Sequence, residues 1–315
     1  MKRLSPLVLI GLLLLFAVCR VQAQQGNQAR RLMDALKAKN LTSALEITQN
    51  IDSVNYTDEE GMNPLMLAIE AGYTKVCEIL IEKGADLDVQ RSDGATALIL
   101  ASRDGHPNVV KLMLAKGVNP DQKSIDGSSP LIWTSIKGRA NVVKMLLDNG
   151  ANPDIQNYDG STALMWAISA RHPDVVNLLL DTGANSDLKR NDGITALILS
   201  VQEGLTEEVM LLLEKGADPD LPGNNGISPL MRASQLGHTE IVKLLLEKGA
   251  NPDLQGKNGY TALMVASLNG QTDIVTELLN KNANPDLKNA EGKTALDLAS
   301  NSDIVSLLAN IKKPE

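Results

Sequence analysis

The sequence predicts an all-α solenoid of stacked helix-turn-helix repeats joined by short β-hairpin-like turns. Glycine recurs at Gly61, Gly94, Gly127, Gly160, Gly193, Gly226, Gly259 and Gly292, always thirty-three positions apart, and a leucine column from Leu65 to Leu296 runs four positions behind it. Aromatic residues are only 2% of the chain, with one Phe, two Trp and four Tyr among 315 residues, so a large core has to be aliphatic and thin-layered. A fixed period of this size marks an array in which each unit completes its neighbour's dry interior.

The first element is a leader. Met1-Lys2-Arg3 is basic, and Leu7 to Cys19 is an apolar run of 13 residues. As a helix that run rises only ~20 Å, against ~30 Å of membrane hydrocarbon. Val21-Gln22-Ala23 forms a small-residue cleavage site, so residues 1–23 are expected to be a signal peptide cleaved after Ala23. An uncleaved anchor and a lipid on Cys19 are the alternatives, and the bulky Val18 before that cysteine speaks against the second. The product is expected in the periplasm of a bacterium or secreted, with no membrane association after cleavage. Its net charge moves from −8 to −11 as Lys2, Arg3 and Arg20 leave, and it keeps one cysteine, Cys77, which excludes an internal disulfide.

Residues 24–57 read as a degenerate N-terminal capping repeat, with Leu32, Ala35 and Ile47 on the register of the later repeats. Residues 58–290 hold seven full repeats. Two residues after each glycine comes Asn63, Thr96, Ser129 or their sisters, whose side-chain oxygens accept from the free N–H groups of a helix start. Proline (Pro64, Pro130, Pro229) or alanine comes next, and proline at a first helical position gives up no hydrogen bond. A first helix of about nine residues is predicted in every period, including the last at Ala295. Gly72, Gly105, Gly138, Gly204, Gly237 and Gly270 stop it, with Arg171 as the exception. A second helix with one broad apolar face comes after the stop, as over 239–246, and closes at the column from Gly84 to Gly249. The connecting stretch, as over 151–159, is turn-rich and barred from helix by Pro153. Residues 291–315 read as a shortened C-terminal capping repeat, its turn before Asp303 about three residues short.

This pattern resembles the ankyrin repeat over residues 58–311: the family's D-G-x-T-P-L-H-x-A is matched by Asp93-Gly94-Ala95-Thr96-Ala97-Leu98-Ile99-Leu100-Ala101 and its sisters. The resemblance implies protein recognition through a long concave surface of first helices and turn tips. The chain departs from the family at the histidine, replaced by Met66, Ile99, Ile132, Met165, Ile198, Met231, Met264 and Asp297. Apolar contact between layers is expected in place of that histidine's hydrogen bonds.

Catalytic patterns are absent: there is no H-E-x-x-H, G-x-S-x-G, C-x-x-C, G-x-G-x-x-G or phosphate-binding G-x-x-x-x-G-K-[ST]. The expectation is therefore a non-enzyme without cofactor or metal. His106, His172 and His238 share one column, but each lies two repeats from the next, and two stacked layers are too far apart to share a zinc ion. Net acidity argues against nucleic acid and fits a protein partner with basic character. Two acidic columns, Asp88 to Asp286 and Glu60 to Glu291, read first as turn-shaping residues and second as an anionic edge.

Repeat-to-repeat variation marks the candidate partner-binding residues. Trp133, Trp166 and Arg232 share a first-helix position that leucine otherwise favours; as neighbours in one column the tryptophans are expected to stack. Tyr158 lies at a turn tip, and Ile227 and Tyr260 come directly after the glycine column. Trp, Tyr and Arg carry much of the binding energy at protein interfaces. The reading is a monomeric protein–protein interaction scaffold exported to the periplasm. A secreted effector or toxin component acting on a host protein, and an enzyme accessory subunit, are the alternatives.

Overall fold

Seven times along the chain the residue two places after the glycine column caps a helix with its side-chain oxygen. Asn63 accepts from the Met66 N–H at 2.8 Å, Thr195 from Ile198 at 3.2 Å and Ser228 from Met231 at 3.2 Å, with Thr96, Ser129, Thr162 and Thr261 doing the same. Seven first helices start there in a computed structural model that describes residues 27–310. The leader and its cleavage site lie outside the described residues.

The chain divides into two compact units between Asn152 and Pro153. The first begins with helix α1 (27–37) and α2 (Leu41–Asn50) and continues with three first-helix and second-helix pairs. These are α3 (Pro64–Glu70) and α4 (Thr74–Glu82), α5 (Ala97–Asp104) and α6 (Pro107–Ala115), and α7 (Pro130–Ile136) and α8 (Ala140–Asp148). Within it α3 packs on α5 and α5 on α7, while α2, α4, α6 and α8 pack in the same succession. The second unit holds α9 (Ala163–Ser169) with α10 (Pro173–Asp181), α11 (Ala196–Gln202) with α12 (Thr206–Glu214), and α13 (Pro229–Leu236) with α14 (Thr239–Glu247). It ends with α15 (Ala262–Leu268), α16 (Thr272–Asn280) and α17 (Ser302–Ala309). There α9, α11, α13 and α15 form one row, and α10, α12, α14, α16 and α17 the other.

First helices run to seven or eight residues, shorter than the expected nine, and second helices to nine. The early stop is a left-handed residue: Gly105 closes α5 at φ 81°, where its N–H donates to the Ala101 carbonyl. Arg171 takes φ 58° in the same column, and Lys39, one repeat before Gly72, takes φ 53°. Side chains meet a steric penalty there, which is why glycine fills the other positions. Gly94 adds a second constraint, because a Cβ on it would lie 2.6 Å from the Ile125 N of the next repeat.

The leucine column from Leu65 to Leu263 is buried, and so are Met66, Ile99, Ile132, Met165, Ile198, Met231 and Met264 in place of the family's histidine. A glutamine column supplies polar bonds between layers. Gln90 donates through Nε2 to the carbonyls of Gly94 and of Lys123 in the next repeat, both at 3.2 Å, and Gln156 and Gln255 repeat the pattern.

The eighth first helix does not form. Residues 295–298 are a turn, and Leu296 is 41% exposed, contrary to the expected helix and buried leucine. Asp297 stands where other repeats bury Met or Ile, and its carboxylate accepts from the Thr294 N–H at 2.9 Å and hydroxyl at 2.8 Å. A carboxylate does not enter the apolar layer unpaired, so it folds back on the cap instead. Helix α17 then starts at Ser302, three residues ahead of the repeat register.

The first acidic column has a structural task. Asp121, Asp154, Asp187, Asp220 and Asp253 each accept the backbone N–H 31 residues on, in the next repeat, at 2.7–3.1 Å. Asn55 makes the same bond to Asp86 N at 2.7 Å, so the column needs an acceptor and not a charge. Asp220→Asn is therefore expected to unfold in urea within about 0.5 kcal/mol of the parent, whereas Asp220→Ala loses about 1 kcal/mol through the orphaned N–H of Asn251.

Candidate functional site

Within each unit, junctions between successive repeats bring a turn tip beside the first helix of the repeat before it. Three grooves lie at equivalent junctions, the second two repeats after the first and the third four repeats after the second. The first holds Met33, Lys37, Asp58 and Glu60; the second holds Ile99, Arg103, Ser124, Asp126 and Trp133, with Asp93 and Ala95 beside them. The third holds Met231, Gln235, Gly256, Asn258 and Val265 at matching positions, with Ile227 and Tyr260. Their volumes are about 580, 260 and 380 Å³. The frame is constant and the lining changes, from carboxylate-rich in the first groove to amide and apolar in the third.

At two other junctions the chain fills this place with its own guanidinium. Arg91, on the Ser124 and Gly256 column, bonds Asp93 through Nε at 2.9 Å and through Nη2, and reaches Glu70 through Nη1 at 3.1 Å. Arg190 bonds Asp192 through Nε at 3.0 Å and again through Nη2. Hydrogen bonding to Arg91 holds the Asp93 carboxyl at about 2, well below the usual carboxylate range. The arginines at these turn tips are thus intramolecular plugs. The sequence carried that signal in a column three residues before the glycines, where Arg91 and Arg190 alternate with Ser124, Asn157, Gly223 and Gly256.

The predicted site residues fall into two groups. Ile227 and Tyr260 come together in the third groove, and Trp133 closes the second, its Nε1 donating to Ser124 Oγ at 3.4 Å. Trp166 is half-buried, and its indole N–H is buried without a hydrogen-bond partner among the described residues. Arg232 is half-buried; Nη1 donates to Gln235 Oε1 at 2.8 Å, and its Nε is buried without a partner among the described residues. Tyr158 is 74% exposed, as is Ile125 (62%) at the equivalent position of the first unit.

The remaining chemistry-bearing residues are structural. His106, His172 and His238 stand at the N-caps of α6, α10 and α14, and the His106 and His238 rings lie beside Gly72 and Gly204 of the preceding repeats. Cys77 is buried in α4, and burial pushes its thiol up to about 12, so the reactive thiolate is suppressed. The second acidic column shapes turns: Asp93, Asp126, Asp159 and Asp192 accept from the N–H two residues on. Among the described residues no group of three His, Cys, Asp or Glu side chains is placed to hold a metal, and no helix is long and apolar enough to cross a membrane.

The stacked pairs and their capped glycine turns define a repeat protein. A family profile described as "Ankyrin repeats (3 copies)" matches at residues 32–124, 116–192, 182–256 and 244–314, and the chain belongs to the ankyrin-repeat family. It is similar in structure to the ankyrin repeat domain of Bcl-3, titled a unique member of the IkappaB protein family, at 32% identity and a TM-score of 0.65, covering 69% of this chain and 100% of that one. It is also similar to the human ASB11 ankyrin repeat domain, at 30% identity and a TM-score of 0.56, covering 69% and 99% of the two chains. No curated protein matches it in sequence. Ankyrin repeats are protein–protein interaction modules and in general non-catalytic scaffolds.

Because the Asp93 carboxyl is held low in the folded chain, the Arg91 pair contributes stability fully present above the ordinary carboxylate range near pH 3.8 and lost as pH falls through about 2. Arg91→Ala is expected to move the Asp93 side-chain carbon titration, read by NMR, up toward 3.8, and to flatten the acid limb of the stability curve over that window.

Proposed function

We propose that this chain is an exported scaffold that captures a protein partner through the face made of first helices and turn tips, without catalysing a reaction. The observation that supports it most is the set of equivalent grooves with a constant frame and changing lining. Interaction surfaces built from repeats vary at such positions while the packing residues stay fixed. Trp133, Ile227 and Tyr260 lie in these grooves, and Tyr158 stands exposed at a turn tip. Trp166 and Arg232, half-buried on first helices, extend the same proposal. The basic start, the apolar run and Val21-Gln22-Ala23 support export to the periplasm or medium. Net acidity supports a partner of net positive charge.

A photo-crosslinking amino acid at Ile227, with Lys243 on α14 as the control position, tests the reading in cells that make the protein. A discrete crosslinked partner is expected from Ile227 and none from Lys243. Alanine at Trp133, Trp166 and Tyr260 together should abolish the crosslink while the thermal midpoint stays within a few degrees. Equal crosslinking from both positions, or a crosslink that survives the triple change, overturns the proposed face.

A further inference from the structure

The groove at Gly256 differs from its two counterparts in charge, and the difference arises from three columns. Where the chain plugs a junction, an arginine meets carboxylates: Arg91 meets Asp93 and Glu70, and Arg190 meets Asp192. At the third groove each of those positions has changed together. Glycine stands in the arginine column at Gly256, Asn258 replaces the aspartate, Asn225 replaces it again one repeat earlier, and Gln235 stands where Glu70 and Arg103 do. The groove has lost both its plug and the carboxylates that would hold a cation.

What remains is an apolar floor with positive charge beside it. Met231 is buried, Ile227 and Val265 are half-buried, and Leu268 is 48% exposed. Lys257 is the one charged residue of the lining, on an exposed turn tip, and Arg232 stands one helical turn behind Gln235. Neither cation makes an ion pair with a described residue, and the Arg232 Nε has no hydrogen-bond partner among them. By contrast the Lys37 ammonium of the first groove lies 3.0 Å from Asp58, and the second groove is lined by Asp93 and Asp126, while its Arg103 is paired with Asp104 at 2.7 Å.

We propose that the Gly256 groove receives an apolar side chain of a protein segment flanked by carboxylates, the apolar group seated against Met231 and the carboxylates facing Lys257. This rests on the reading of the chain as a protein-binding scaffold and names the chemistry of one of its contacts. The positive charge beside this groove is opposite in sign to the chain's net charge of −8. Long-range attraction and short-range fit are then separate properties of one surface.

The test uses the full chain labelled at its methionine methyls with three capped nonapeptides, whose central residues are Asp-Leu-Asp, Lys-Leu-Lys or Asp-Ala-Asp. Asp-Leu-Asp is expected to shift the Met231 methyl saturably, with at least fivefold tighter binding than either alternative, while Met113 in the core of the other unit stays unmoved. The double variant Gly256→Arg with Asn258→Asp recreates the native plug and should abolish the shift. Lys257→Glu, at an exposed position that leaves folding untouched, should remove or reverse the preference between acidic and basic peptides. No saturable shift at Met231, equal binding of the lysine peptide, or a preference that survives Lys257→Glu overturns the proposal. A crosslink at Ile227 that persists in that event leaves the scaffold reading standing; loss of both removes both.

Discussion

No helical pair in this protein can dry its own interior, and every other feature of the array answers to that constraint. The first helices are seven or eight residues long, below the length at which an isolated helix is stable in water. They persist because buried residues on both sides of each helix meet the next repeat. A strict repeat register is what keeps those surfaces facing. Where a carboxylate falls in the buried column, at Asp297, the first helix fails.

The polar residues divide into a frame and a surface. Aspartates, glutamines and capping hydroxyls satisfy backbone groups within and between repeats, and they recur because the backbone they serve recurs. Their carboxylates serve local bonds, and a hydrogen bond from a neutral N–H leaves the negative charge in place. Residues that change from repeat to repeat line the grooves, beside members of the frame such as Asp93 and Asp126.

Groove chemistry is therefore set by small substitutions on a rigid support. An arginine in one column seats itself across carboxylates and closes the junction; glycine in the same column, with amides in place of the carboxylates, leaves an apolar floor open. The array is thus a series of closed and open junctions on a constant backbone.

The bare order of amino acids settles the repeat, its caps, its glycine stops and the burial of the leucine column, because each depends on backbone conformation and period alone. It also marks the C-terminal cap as irregular, though it suggests a nine-residue first helix throughout and an eighth copy that Asp297 does not allow. Along the chain Arg91 and Arg190 are turn-tip residues with no partner in view, and Ile227 and Tyr260 are variable positions after the glycine column. Packing of the layers turns the arginines inward onto acids of their own junction and gives the other two a shared groove with Met231 and Val265. A groove is made by side chains from two adjacent repeats, and which of them meet depends on how the layers stack, a distance that spacing along one chain does not contain.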